Sequence, residues 1–229
     1  MERKSSLEQL APLSGIAFAV LGVAGVALAL PGSPDFVGPG DDYVRYYTQH
    51  DNDIIIGCIG LLLATFALLW FLGSVRRHLA RAEGGDGRLS NVAFAGGAVG
   101  AAMLLGSTAA RVAPALRVDD QGTIARDVAV TMGDLADVLW GLAAPLGLGV
   151  LVAATAVVGL RHASGGVPRW LAWTSAPLAV LLVVPLISWL AVMVFPLWAV
   201  AMSVVIYRQE VGVPQRASAR EASPAAVVT

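Results

Sequence analysis

Charge in this chain is confined to short intervals between long apolar runs, and that arrangement restricts the fold more than any other feature. A soluble domain carries charge at about a quarter of its positions. Here charged residues make up 14% of 229 residues and hydrophobic ones 57%. The apolar runs cover 11–30, 53–73, 91–111, 135–160, 169–184 and 189–207. At about 1.5 Å of rise per residue, roughly 20 helical residues cross a hydrocarbon core about 30 Å thick. Inside that core every backbone N–H and C=O must be satisfied within the protein, so runs of this length span as helices. The sequence therefore predicts an all-α polytopic membrane protein. Its six-transmembrane-helix bundle forms a single domain over 1–207, with a flexible tail over 208–229.

Basic residues set the orientation. All but four of the 15 fall in the N-terminus (Arg3, Lys4), the interval after the second run (Arg76, Arg77, Arg81, Arg88), the interval after the fourth (Arg161, Arg169) and the tail (Arg208, Arg216, Arg220). The alternate intervals hold Arg45, Arg111, Arg117 and Arg126 among many aspartates. Cytoplasmic loops are enriched in Lys and Arg, which predicts an N-in, C-in protein of the cell membrane with an acidic outer side. Trp70, Trp170, Trp173 and Tyr207 fall near the inner interface and Trp140 and Trp189 near the outer one, as an aromatic belt requires. Trp198, near mid-membrane, is expected to pack between helices. A second reading of the start takes Arg3, Lys4, the first run and Ala27-Leu28-Ala29 as a cleavable secretory signal, which would leave five helices.

Local signals subdivide the chain further. Gly15, Ala19 and Gly22 place a small-residue stripe on the first run, and Gly96-x-x-x-Gly100 with Gly106-x-x-x-Ala110 does the same on the third. A short outer helix is expected from Asp41 or Asp42, either acting as its cap, and continuing toward the second run. Tyr43, Tyr46, Tyr47 and His50 share one face of it. Gly84-Gly85 should end the second helix, and Ser90 or Asn91 should cap the third. The segment 122–160 reads as one long helix bent at Gly133 and Pro145, and the last two runs as a hairpin around Pro185. Arginine, histidine and Gly-Gly recur after runs two and four, a short match to a repeated hairpin unit.

The stretch from Tyr46-Tyr47 to Asn52, then Trp70-Phe71-Leu72-Gly73 and Arg81-Ala82-Glu83-Gly84 to Leu89-Ser90, resembles a large set of uncharacterised actinobacterial integral membrane proteins of similar length. The resemblance covers roughly 10–205 in layout and is residue-specific mainly over 46–104. It implies a multi-pass membrane location and supplies no catalytic residues.

Candidate chemistry is sparse. Arg111 lies roughly 20 residues beyond Asn91, and Asp137 roughly 24 before Arg161, so at helical rise both reach about the same outer level. Arg111 with Asp137 or Asp134, one turn away, is the one polar cluster the spacing suggests, and its expected role is packing. His50, Asp51 and Asp53 match no calcium or zinc ligand pattern. Haem ligation by His78 and His162, at similar depth, is weaker than their reading as interfacial residues. Cys58 is the only cysteine, which excludes an internal disulfide and Cys-rich metal sites. No nucleophile motif occurs, and no run has an ionisable residue near its centre, as ion and proton carriers do. The net charge of -1 points to no nucleic-acid partner. The sequence thus predicts a noncatalytic membrane protein without cofactor, structural, regulatory or accessory to a membrane-protein partner or a second copy. The alternative is a small carrier or channel for an uncharged or lipophilic solute. An enzyme or redox role would require a bound chromophore or metal.

Overall fold

The computed structural model describes residues 11–161 and 166–221, with side chains as far as Glu210. It is all helical. A short 3-10 turn over Ala11–Leu13 leads into α1 (Ser14–Ala29), followed by α2 (Gly40–Gln49), α3 (Asp51–Glu83) and α4 (Arg88–Gln121). Then come α5 (Arg126–Val138), a wide π turn over Leu139–Ala143, α6 (Ala144–Arg161), α7 (Arg169–Val183) and α8 (Ser188–Glu221). Among the described residues, five stretches are long and apolar enough to span: Ala11–Ala29, Asp51–Glu83, Arg88–Gln121, Arg126–Arg161 and Ser188–Glu210. The α7 helix is apolar but has 15 residues, about 22 Å at helical rise.

The helix ends have identifiable causes, several different from the sequence expectation. Gly84, at φ 65°, ends α3 as expected, because glycine enters the left-handed region without a Cβ clash. The start of α4 is capped by Glu83, whose two carboxylate oxygens accept the Leu89 and Ser90 N–H groups at 3.0 and 3.2 Å. Ser90 and Asn91 lie inside that helix instead. Asp41 and Asp42 do not cap α2: Pro39 precedes its first residue, and the two carboxylates pair with Arg126 at 3.4 Å and with Arg45. Nor does α2 continue into α3, because His50 breaks the helix at φ -128°. At the other end, α8 runs on to Glu221, so the expected flexible tail is helical over 208–221.

The long helix over 126–161 is interrupted at 139–143, just before Pro145. Proline has no N–H to offer the carbonyl of Gly141. The ladder widens there, with Ala144 N–H reaching back to Leu139 O. Ser188 at the start of α8 donates its hydroxyl to the Gly141 carbonyl at 2.5 Å. This fixes the turn between α7 and α8 at the depth of the irregularity. Gly133 stays within α5 and does not bend it.

Around the bundle α1 packs on α3, α3 on α4, α4 on α6 and α6 on α7, and α8 returns against α1 to close the ring. Apolar side chains gain little by leaving lipid for a helix surface, so close approach at small residues carries the packing. Gly96 and Gly100 do this against Gly147: a Cβ on Gly147 would lie 2.4 Å from Gly100 N and 2.7 Å from Gly96 O. On α1 the small-residue stripe is close-packed at Gly15, where a Cβ would lie 2.7 Å from the Phe71 ring, but the backbone-to-backbone contact lies beyond it at Gly25. A Cβ on Gly57 would stand 2.6 Å from Ala29 N and 2.7 Å from Gly25 O, whereas Gly22 has only Ala64 Cβ at 3.9 Å. Phe71, Leu68, Leu148, Leu151 and Phe195 fill the centre. Trp198 packs between helices as expected, stacked on Phe195 with centroids 5.5 Å apart and donating its indole N–H to Ser175 Oγ at 2.8 Å. Ile59, Leu63 and Phe66 on α3 are exposed, the all-round apolarity of a lipid-facing helix.

Because the atoms facing Gly147 are backbone, no rotamer change can admit a side chain there. Gly147→Val is expected to cost about 1–3 kcal/mol and to lower the melting midpoint of the detergent-solubilised protein. Gly73→Ala, with nothing within 4 Å of the added Cβ, should leave the midpoint unchanged or raise it; equal loss in both would refute the packing role.

Candidate functional site

At the aspartate-rich end of the bundle, a cap forms from residues 30–39, α2, α5 and the last turns of α4. Its anchor is Arg111. The side chain is only 6% exposed, and Nη2 donates to Asp137 Oδ1 at 2.5 Å. Nη1 reaches Ser33 Oγ at 3.4 Å, tying in the loop after α1. Arg111 and Asp137 therefore meet at the junction of α4 and α5. Asp134 does not join Arg111. One turn away, its Oδ1 accepts the Tyr43 hydroxyl at 2.6 Å and the Val37 N–H at 3.4 Å.

The tyrosine face of α2 is turned inward. Tyr43, Tyr46 and Tyr47 are buried, and Tyr46 and Tyr47 have ring centroids 5.1 Å apart. Tyr46 donates its hydroxyl to the carbonyl of Ala29, one of the carbonyls left open where α1 ends. His50 is half-buried, its ring 5.9 Å from that of Tyr46. Tyr43 fits because Gly133 has no side chain: a Cβ there would stand 2.4 Å from the Tyr43 ring. Tyr47 is fully buried and its hydroxyl has no hydrogen-bond partner among the described residues.

Electrostatics hold these phenols neutral. Burial pushes the Tyr43 hydroxyl well above its ordinary range, and the Asp134 carboxylate it donates to pushes it further. Burial raises Tyr46 and Tyr47 as well, opposed by the Arg111 guanidinium. All three therefore keep their protons at neutral pH, and Tyr43 and Tyr46 use them as donors, which suits anchoring and not proton transfer. Ser107 Oγ adds another tie from α4 to α5, donating to Ala136 O at 2.7 Å.

The other sequence candidates are not brought together. Among the described residues no group of three His, Cys, Asp or Glu side chains is placed to hold a metal. His78 is buried at the arginine-rich end beside Gly166, and His162 lies outside the described residues. Cys58 is buried and free. Sequence reasoning missed the Tyr43–Asp134 and Tyr46–Ala29 bonds. The three- and four-residue tyrosine spacing gave the shared face but not its partners. Gly133, an interior helix glycine, was the available sign of a close neighbour.

A closed ring of apolar helices, lipid-facing outside and bearing one polar cap, defines a polytopic helical membrane protein. The Yip1 domain, a multi-pass membrane family, matches residues 6–190, and the chain belongs to that family. No curated protein and no solved structure matches it.

The two members of the buried pair differ in exposure, 6% for Arg111 and 26% for Asp137, and this yields an asymmetric prediction. Asp137→Leu strands the arginine and should cost about 3 kcal/mol or more. Arg111→Met leaves a carboxylate that water can still reach and should cost less. The double variant should recover part of the loss. Melting midpoints of the four proteins test this; additive losses would mean that the pair is not coupled.

Proposed function

We propose that the protein is a noncatalytic membrane component that presents its aspartate-rich cap to a partner, either another membrane protein or a second copy. The observation that carries this reading is where the cap's polar groups are used. Arg111, Asp137, Asp134, Tyr43 and Tyr46 all bond inward, tying α1, α2, α4 and α5 into one module. The same module presents Phe36 and Val37 at 59% and 71% exposure, with Asp41 beside them on α2 exposed as well. Exposed apolar residues with a polar rim are a common mark of contact surfaces.

The proposal includes an orientation and a span count. Cap outward and arginine-rich end inward follows the distribution of basic residues, with both termini cytoplasmic in the cell membrane. Six crossings require the short α7 to cross as well. Support comes from its antiparallel return in α8, whose Gln209 side chain donates to Gly166 O and so comes back to the level of the loop before α7. A short apolar helix is accommodated by local thinning of the bilayer.

A carrier of lipophilic solutes is the second reading, and one observation favours it. A cavity of about 220 Å3 opens among α1, α3, α4 and α8, with Phe18, Thr65, Thr108, Trp140 and Pro196 in its walls. Both threonine hydroxyls donate to carbonyls of their own helices, at 2.9 and 2.8 Å, so the lining is effectively apolar. Its size suits a ring or short alkyl segment, as cavities of about 150 Å3 hold benzene.

Native mass spectrometry of the gently solubilised protein, with an absorbance spectrum of the same sample, separates these readings. The accessory role predicts a complex with a second polypeptide that Phe36→Ser with Val37→Ser dissolves without shifting the melting midpoint. A discrete small molecule on an otherwise bare chain would overturn it in favour of transport. Orientation has its own test: the buried Cys58 gives little background, so Val37→Cys should react with an impermeant maleimide in intact cells and Asp86→Cys only after permeabilisation. The reverse pattern would overturn the orientation.

A further inference from the structure

At the arginine-rich end, α3 and α4 leave a groove of about 850 Å3 between them, lined by Arg76, Arg77, Ser74, Trp70, Phe94 and the Gly85-Asp86-Gly87 turn. Its chemistry is graded along the bundle axis. Trp70 lies roughly 10 Å deeper than Arg77 along α3, and Phe94 lies deeper than the turn along α4. The deep end is thus aromatic and exposed, at 60% for Trp70 and 38% for Phe94, while the shallow end is basic. We propose that this groove seats an anionic phospholipid, its phosphodiester against Arg76 and Arg77 and an acyl chain over Trp70 and Phe94.

Three observations support a built site. Arg76 is held in place, its Nε donating to Asn91 Oδ1 at 3.0 Å and its guanidinium carbon 5.6 Å from the centroid of the Phe94 ring. Its terminal nitrogens are left for an anion. Among the described residues no carboxylate lies within 4.0 Å of Arg76 or Arg77. Glu83, the acid that ends α3, is occupied by the N–H groups of Leu89 and Ser90. Finally, Ser74 lines the groove, is 3% exposed and has a hydroxyl with no hydrogen-bond partner among the described residues, although buried hydroxyls ordinarily find one.

Charge and shape select among ligands. Two guanidinium groups outweigh the single Asp86, so a zwitterionic headgroup would bring its ammonium toward net positive charge. A small soluble anion would satisfy the arginines and leave the aromatic end bare. Arginine also matches phosphate oxygens in a planar, two-point geometry that a lysine lacks.

The test is native mass spectrometry of the full-length protein in mild detergent, titrated with phosphatidylglycerol or phosphatidylcholine. One phosphatidylglycerol should be retained in preference to phosphatidylcholine. Arg76→Gln with Arg77→Gln should weaken it roughly 30-fold, from the contribution of each basic residue near an anionic lipid. Arg77→Gln alone keeps the Arg76–Asn91 tie and should weaken it about 5-fold with an unchanged melting midpoint. Arg161→Gln with Arg169→Gln, at the same end of the bundle, should have no effect. Equal retention of the two lipids, or equal loss from both arginine pairs, would reduce the effect to general attraction and overturn the site. Competition by inorganic phosphate at concentrations similar to the lipid would overturn the lipid in favour of a soluble anion.

Discussion

Backbone contact at glycines is the constraint on which the rest of the arrangement depends. In lipid there is little gain from hiding one apolar side chain against another, so helix pairs hold where their backbones approach closely. Gly25 against Gly57 sets α1 on α3, and Gly96 and Gly100 against Gly147 set α4 on α6. The second crossing also fixes a register. Arg111 lies about three turns beyond Gly100, and Asp137 nearly three turns before Gly147, so each reaches about 15 Å from the crossing on antiparallel helices. Their side chains meet there. A slip of one turn at the glycines would part them by about 5.4 Å, so the ion pair and the glycine contact select the same alignment.

That coupling explains how a nearly buried arginine is tolerated. Removing a guanidinium from water is costly, and a single carboxylate rarely repays the whole cost in stability. Asp137 keeps some contact with solvent, and Ser33 adds an acceptor from the loop after α1. The ties around the pair then assemble the cap. Ser107 binds α4 to α5, Tyr43 binds α2 to α5, and Tyr46 closes the end of α1. What such polar groups contribute is uniqueness of arrangement more than net stability, the role attested for buried polar groups that fix register.

Elements governed by one-dimensional patterns were legible in the sequence, and those governed by partners were not. The apolar runs located the helices, and Gly84 ended α3 as read. Counting residues at helical rise placed Arg111 and Asp137 at one level, because rise is a property of the helix alone. It could not assign Asp134, since the choice between Arg111 and Tyr43 depends on where α2 folds back, and that depends on a missing side chain at Gly133. Caps failed for a related reason. Ser90 and Asn91 are good capping residues, but Glu83 arrives from the preceding helix after a tight glycine turn and satisfies the same N–H groups. The extension of α8 beyond 208 was missed because its composition is polar and aperiodic, which says little about helicity once a long helix is already nucleated and each added residue only propagates it.

The two ends of the bundle handle their polar groups in opposite ways, and this bears on where recognition can occur. At the aspartate-rich end the chain bends its own acceptors toward its donors. The same economy appears at Pro145, where the carbonyl of Gly141 is taken up by Ser188 and the α7–α8 turn is thereby fixed. At the arginine-rich end the pattern reverses. Among the described residues, Ser74, His78 and Ser203 hold buried polar atoms without partners, and Arg76 and Arg77 line a groove with no carboxylate in contact with them. The cap has its own open group, the buried Tyr47 hydroxyl, which has no partner among the described residues, but Arg111, Asp137 and Asp134 there are bonded within the chain. Open donors beside exposed aromatic rings, at the depth where headgroups lie, are better explained by an acceptor that comes from the membrane itself. The cap is thus the part of the molecule whose arginine is paired within the chain, and the groove the part whose arginines are not, among the described residues.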